Sequence, residues 1–167
     1  MSGTLVSSSL RQLNTNDRGR VEEITRAAGL FREDEIPVAL EVFDDAVRLP
    51  AGSSSYTLLG AALESRLVGW ICWGPTPCTL GTYDLYWMAV DPALQGVGIG
   101  TALLREMERQ LNGVARLIVI ETAGRPDYAP TRGFYQARGY RPAATIADFY
   151  GPGDDQVVFV KRLNGKE

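Results

Sequence analysis

The chain has 167 residues, 45% hydrophobic and 22% charged, with a formal net charge of −3 and a pI near 5.1. That length predicts a single domain, 1–167, large enough to hide roughly 70% of the surface its unfolded chain exposes. The average composition excludes a disordered chain, and the acidic balance excludes the basic face of a nucleic-acid binder. No apolar run approaches the ~18 residues a membrane helix needs, so no membrane partner is expected.

Met1–Ser9 lacks a cationic stretch followed by an apolar one, so no secretory signal is expected and the expected location is cytoplasmic. Leu5–Leu13 reads as a first strand. Asn14, Asn16 and Asp17 are turn and cap residues ahead of a helix over Asp17–Ala28 that stops at Gly29. A second helix has Pro37 near its start and an apolar face of Ala39, Leu40, Val42, Phe43, Ala46 and Val47. Ser55–Leu63 and Arg66–Trp73 read as strands joined at Glu64-Ser65, and Gly74-Pro75-Thr76-Pro77 as a breaker cluster. Thr82–Val90 is the next strand. Gly98–Leu111 is an amphipathic helix, with Ile99, Leu103, Met107 and Leu111 on one face.

Ala115–Thr122 is a short apolar run that predicts a strand covered on both faces. Asp127 is placed to cap a helix with Pro130 in its first turn, ending before Gly139. Two strands, Ala144–Tyr150 and Gln156–Lys161, close the chain around Gly151-Pro152-Gly153-Asp154-Asp155. The order β-α-α-β-β-β-α-β-α-β-β predicts an α/β (α+β) fold, with a mixed central sheet of about seven strands and helices on both faces.

There are two cysteines, Cys72 and Cys78, and no histidine. Histidine-dependent nucleophile systems are therefore excluded, and a zinc site lacks its usual donors, so no metal is expected. The cysteines do not have the C-x-x-C spacing of a redox pair and read as small apolar residues in or beside a strand. Any catalytic acid or base must be a carboxylate, a tyrosine or a lysine.

The informative stretch is Val90-Asp91-Pro92-Ala93-Leu94-Gln95-Gly96-Val97-Gly98-Ile99-Gly100-Thr101. A strand ends, three glycines alternate and a helix begins. Amides at a helix start are unpaired and carry partial positive charge, and glycines let a phosphate approach them. The stretch reads as a pyrophosphate cradle. It is not a P-loop, for no Gly-Lys-Ser or Gly-Lys-Thr follows. It is not the dinucleotide fingerprint either, since the third glycine would fall at Thr101 or Leu103. A purely structural alternative is that these glycines serve only close packing of the helix on a strand.

Gln95-Gly96-Val97-Gly98-Ile99-Gly100 resembles the [RQ]-x-x-G-x-[GA] acyl-coenzyme A motif of the GNAT superfamily of N-acetyltransferases. Met88-Ala89-Val90-Asp91-Pro92 is similar to the strand end before that motif, and Thr101-Ala102-Leu103-Leu104 to the helix after it. Gly133-Phe134-Tyr135-Gln136-Ala137-Arg138-Gly139-Tyr140 resembles the family's F/L-Y-x-x-x-G-[FY] segment. The element order agrees from about Leu5 to Leu163, nearly the whole chain.

The resemblance implies transfer of an acetyl group from acetyl-coenzyme A to a primary amine, by direct attack in a ternary complex. The amine must first lose a proton, since a lysine-like amine has a pKa of ~10.4. The oxyanion needs a backbone donor and the leaving thiolate a nearby acid. The acid implied is Tyr135, which matches the family's tyrosine facing the cofactor sulfur. The favoured base is Asp84, six residues before Val90, where some members carry a glutamate. Alternation puts Asp84, Tyr86, Met88 and Val90 on one face. Glu121 matches the basic glutamate of the N-terminal acetylating branch and ranks second. The backbone of Met88, Ala89 and Val90 would pair with the pantetheine arm, and Gln95, Gly96, Val97, Gly98, Ile99, Gly100 and Thr101 would hold the pyrophosphate. Tyr128 stands where many relatives carry an asparagine that contacts the pantetheine, a departure from the pattern.

Small molecules, amino acids, peptide N-termini and protein lysines all fit as acceptors, and an exposed strand edge would allow a homodimer. A coenzyme A-binding sensor without turnover is the rival reading, as is an acyltransferase using another acyl group or a hydroxyl acceptor.

Overall fold

The computed structural model describes residues 8–50 and 52–163. Its elements are β1 (Ser9–Arg11), α1 (Arg18–Ala27), α2 (Glu35–Arg48), β2 (Thr57–Leu63), β3 (Arg66–Pro75), β4 (Thr82–Val90), α3 (Ile99–Leu111), β5 (Leu117–Ala123), α4 (Ala129–Gln136), β6 (Arg141–Gly151) and β7 (Asp154–Arg162). This is the order expected from the sequence. Of the expected first strand, residues 5–7 lie outside the described residues. The strands form one mixed sheet in the order β1-β2-β3-β4-β5-β7-β6, with β4 and β5 parallel. The chain gathers into two compact units, one comprising residues up to Gly74 with Trp87–Gln110, the other Pro75–Tyr86 with the residues from Leu111 onward. β4 contributes residues to both.

In the first unit, the start of α1 is fixed locally. Asn14 Oδ1 accepts from the Asn16 amide and Asp17 Oδ2 from the Asn14 amide, each at 2.9 Å, a reciprocal cap on a short 3-10 turn. Arg11 clamps the same aspartate at 2.8–2.9 Å and holds its carboxyl below the usual range. Gly29, at φ +68°, ends the helix. The apolar faces of α1 and α2 bury Val21, Ile24, Ile36, Ala39 and Phe43 against Leu58, Leu67, Trp70 and Cys72 of the sheet. Each fully buried Phe43- or Ile36-sized side chain stabilises by about 1.5–3 kcal/mol relative to exposure. Trp70 Nε1 donates to Thr25 Oγ1 at 3.0 Å, and that hydroxyl donates to the Val21 carbonyl at 2.6 Å, so no polar atom of this contact is orphaned.

The next residue back on β3, Gly69, serves the opposite face. A Cβ there would lie 3.0 Å from Ile99 Cγ2, 3.2 Å from Leu103 Cδ1 and 3.3 Å from the Ala89 carbonyl. Glycine is what lets α3 seat this close, and within this unit helices cover both faces of the sheet, as expected. β2 and β3 are joined through Glu64 and Ser65 at φ +47° and +70°, the mirror-type two-residue turn of a hairpin.

In the second unit, β5 alternates instead of being covered throughout. Ile118, Ile120 and Thr122 are buried, whereas Val119 is half-buried and Glu121 exposed. The expectation of a strand covered on both faces fails because only one face meets the core. Asp127 does not cap α4. It pairs with Arg125 at 3.0 Å, and a 3-10 turn over Pro126–Tyr128 leads into the helix, whose first residue is preceded by Tyr128 without a side-chain cap. The last hairpin is longer than expected. β6 slips against β7 twice, once between Pro142 and Ala144 and again between Ile146, opposite Gln156, and Gly151, opposite Asp154. Asp148, at φ +54°, sits in the second bulge. It is stapled there by its amide on Asp155 Oδ1 at 2.9 Å and by its Oδ1 accepting from the Gly153 amide at 2.7 Å.

Candidate functional site

The glycine turn belongs to the first unit. Asp91 ends β4 with three ties. Its amide donates to the Val68 carbonyl at 2.8 Å, its Oδ1 accepts from the Ala93 amide at 3.0 Å, and its Oδ2 accepts from Arg20. The Ala93 amide is the main reason its carboxyl lies below the usual range, with Arg20 adding to it. After a 3-10 turn at Pro92–Leu94 the chain turns through Gly96 at φ +81° and Gly98 at φ +93°, conformations that glycine adopts without strain. No heavy atom lies within 4 Å of a Cβ built on either glycine. Close packing therefore does not explain them; the close-packing glycines of this unit are Gly60 and Gly69, which lie on other elements. Gln95, Gly96, Val97 and Gly98 are exposed, and α3 begins with the Ala102 amide donating to the Gly98 carbonyl at 2.9 Å. The turn thus presents open backbone at a helix N-terminus, the arrangement that suits a phosphate. Ile99 is buried beneath it and anchors the helix, with Gly100 and Thr101 half-buried.

The parallel ladder of β4 with β5 runs over Thr82–Leu85 and Leu117–Ile120. Met88, Ala89 and Val90 are outside it; Ala89 is buried, while Met88 and Val90 are half-buried.

The carboxylates belong to the second unit. Asp84 lies opposite Val119 in the ladder, and Glu121, two residues further along β5, shares the face of Val119. Thr76 Oγ1 donates to Asp84 Oδ2 at 2.6 Å. Glu121 reaches solvent, yet the protein around its carboxyl raises it above the usual carboxylate range, and the Asp84 charge raises it further. The two carboxylates expected from sequence are thus brought together, and the proton affinity of Glu121 is raised above that of an ordinary glutamate.

Tyr135 lies on α4 with 4% of its surface exposed, its ring edge-to-face with Phe134 at 5.4 Å and Tyr140 at 5.8 Å. Burial raises its phenol above the usual range, and Tyr128 raises it further. Tyr128 precedes it by about two helical turns and lies under the Arg125 guanidinium, 5.4 Å from the ring centroid. Arg132 donates to the carbonyls of Ala123 at 2.6 Å and Arg125 at 3.0 Å, tying α4 to the end of the strand that carries Glu121. Neither Thr76 nor Arg132 stands out in the sequence. Among the described residues no group of three or more His, Cys, Asp or Glu is placed to hold a metal ion, and no helix is long and apolar enough to cross a membrane.

A family model of the acetyltransferase (GNAT) domain matches residues 54–142. A crystal structure assigned to the GNAT acetyltransferase family, from Desulfovibrio desulfuricans, is 35% identical, covers 93% of this chain and 99% of its own, and superposes with a TM-score of 0.88. An uncharacterized N-acetyltransferase of Methanocaldococcus jannaschii is 30% identical over 107 residues, which is 61% of this chain and 64% of that protein. Arabidopsis thaliana NAA60 in complex with acetyl-CoA is 20% identical, with a TM-score of 0.76 over 95% of this chain and all of that one, a likeness of fold alone.

Proposed function

The chain belongs to the GNAT acetyltransferase family, and on that premise we propose that it transfers an acetyl group from acetyl-coenzyme A to a primary amine by direct attack. The observation that carries this reading is the pair of open glycines, Gly96 and Gly98, at the N-terminus of α3, with no heavy atom within 4 Å of where either Cβ would stand. The turn Gln95–Thr101 would take the pyrophosphate, and the backbone of Met88–Val90 the pantetheine arm. Acetyl-coenzyme A supplies the activated acyl group; the chain supplies proton handling.

A primary amine arrives protonated at neutral pH. In our reading Glu121 takes that proton, because burial and the neighbouring charge make its carboxylate a stronger base than an ordinary glutamate. Asp84 remains the fixed negative charge that attracts the ammonium and keeps the proton affinity of Glu121 high. This exchanges the ranking of the two carboxylates expected from the sequence, on electrostatic grounds. The acetyl carbon passes from sulfur to nitrogen, the departing thiolate takes the phenolic proton of Tyr135, and the second proton shed by the new amide nitrogen passes to solvent, which restores the phenol. Burial keeps Tyr135 protonated, and the same desolvation raises the proton affinity of a thiolate beside it. Tyr128, in place of an asparagine, would border the pantetheine.

We read residues 1–167 as one such domain acting in the cytoplasm. We retain a homodimer through the edge of β6, supported by its nine consecutive exposed residues Arg141–Phe149.

Calorimetric titration with acetyl-coenzyme A, followed by thiol release against lysine, spermidine and a short peptide with a free N-terminus, tests the proposal. Saturable binding with amine-dependent release is expected, with Tyr135→Phe lowering turnover but not affinity. Binding without release by any amine would favour the sensor, and no binding would reduce the glycine turn to architecture.

A further inference from the structure

The six residues between β3 and β4, Thr76–Gly81, are held from every side. The Thr76 amide donates to the Thr82 carbonyl at 2.9 Å, and the Thr76 carbonyl accepts from Thr79 Oγ1 at 2.7 Å. Gly81, at φ +74°, offers its carbonyl to the amides of Arg116 at 2.7 Å and Leu117 at 3.2 Å. The Leu80 carbonyl accepts from Arg116 Nε at 3.1 Å. Both backbone polar groups of Thr76 are therefore committed, which fixes where its side chain stands. That side chain donates to Asp84 Oδ2 at 2.6 Å, within the ~2.5–2.7 Å range of a hydroxyl on an ionised carboxylate.

The choice of partner is informative. Asp17 is paired with Arg11, Asp44 with Arg18, Asp91 with Arg20 and Asp154 with Arg125. Asp84 is held by a hydroxyl instead. An arginine would fix the carboxylate and cancel its charge. A hydroxyl fixes it and leaves the charge in place for a cation to meet.

We infer that Thr76 is a positioning residue of the transfer reaction, whose hydroxyl locks the Asp84 carboxylate on the face it shares with Glu121 without neutralising it. The inference rests on the reading of Asp84 given above. Without the hydroxyl, Asp84 retains its charge but loses its fixed direction, and the ammonium is no longer aligned on Glu121. Alignment matters for turnover more than for binding of acetyl-coenzyme A.

The test is a double-mutant cycle on the full chain, by thiol release from acetyl-coenzyme A with lysine, spermidine and a peptide N-terminus as acceptors. Thr76→Val is expected to lower kcat about ten- to a hundredfold, with the KM for acetyl-coenzyme A unchanged. Thr76→Ser should keep most of the activity, and Thr76→Ala, which removes the same hydroxyl with less bulk, should repeat the loss. In an Asp84→Asn background, Thr76→Val should cost nothing more. Wild-type turnover in both Thr76→Val and Thr76→Ala would overturn the inference, as would a loss that simply adds to that of Asp84→Asn. Full turnover in Asp84→Asn alone would instead overturn the reading of Asp84 beneath it.

Discussion

Trp70 and Asp84 both sit on central strands of one sheet, and their surroundings follow opposite rules. Around Trp70 the indole N–H and the Thr25 hydroxyl are both paired, and α1 and α2 bury Val21, Ile24 and Phe43. Around Asp84 two carboxylates share an open face, and one of them is pushed toward its neutral form, first by burial and then by the charge of the other. Such a pair opposes folding when both members are ionised. A sheet can tolerate that cost at one place because it is stabilised at another. The contrast identifies which part of the chain is organised for stability and which for chemistry.

Three substitutions would sharpen or break that contrast. Glu121→Gln should lower amine-dependent thiol release by about 10²–10⁴-fold, the usual contribution of a positioned base. It should also raise the melting temperature at neutral pH. The folded carboxyl lies above its unfolded value, so its ionisation penalises the folded state above the folded pKa and has no effect below the unfolded one. The gain should therefore vanish near pH 4, at about the unfolded glutamate value. A variant that is no more stable at pH 7 than the wild type would remove the like-charge argument. Trp70→Ala should do the reverse, costing about 3–5 kcal/mol in denaturant melts followed by circular dichroism. In conditions where it stays folded, its turnover should change little. The finest readout is a shift along the pH axis: besides lowering turnover at least as much as Thr76→Val, Asp84→Asn removes a charge that helps raise Glu121, so the acidic limb of the kcat/KM profile should move to lower pH. A limb that stays in place would mean Glu121 is not the group it reports.

The sequence made α3 and its glycine turn readable, because a four-residue apolar spacing and alternating glycines are local patterns. It made Asp84 and Glu121 candidates, because alternation along a strand is local too. It could not show that they influence each other, since that depends on the parallel register that sets Asp84 opposite Val119. Thr76 was hidden inside a run that reads only as a breaker, for nothing in Gly74-Pro75-Thr76-Pro77 says which carboxylate its hydroxyl will meet. Gly69 was equally silent, because the tight approach of Ile99 and Leu103 is a property of packing and not of composition. Asp127 misled in the other direction. It has the chemistry of a helix cap, but Arg125 two residues earlier competes for it and holds it.

The three tryptophans of the chain, Trp70, Trp73 and Trp87, all fall in the first compact unit and none in the second. Intrinsic indole emission is therefore a regional reporter. A fluorescence-detected melt follows the surroundings of the Trp70–Thr25 contact and the Phe31–Trp87 ring pair, 5.1 Å apart, and is blind to the unit that carries Tyr135, Asp84 and Glu121. That second unit must be watched by its tyrosines or by its amide exchange, and disagreement between the two signals would be the first sign that the halves of this sheet do not melt together.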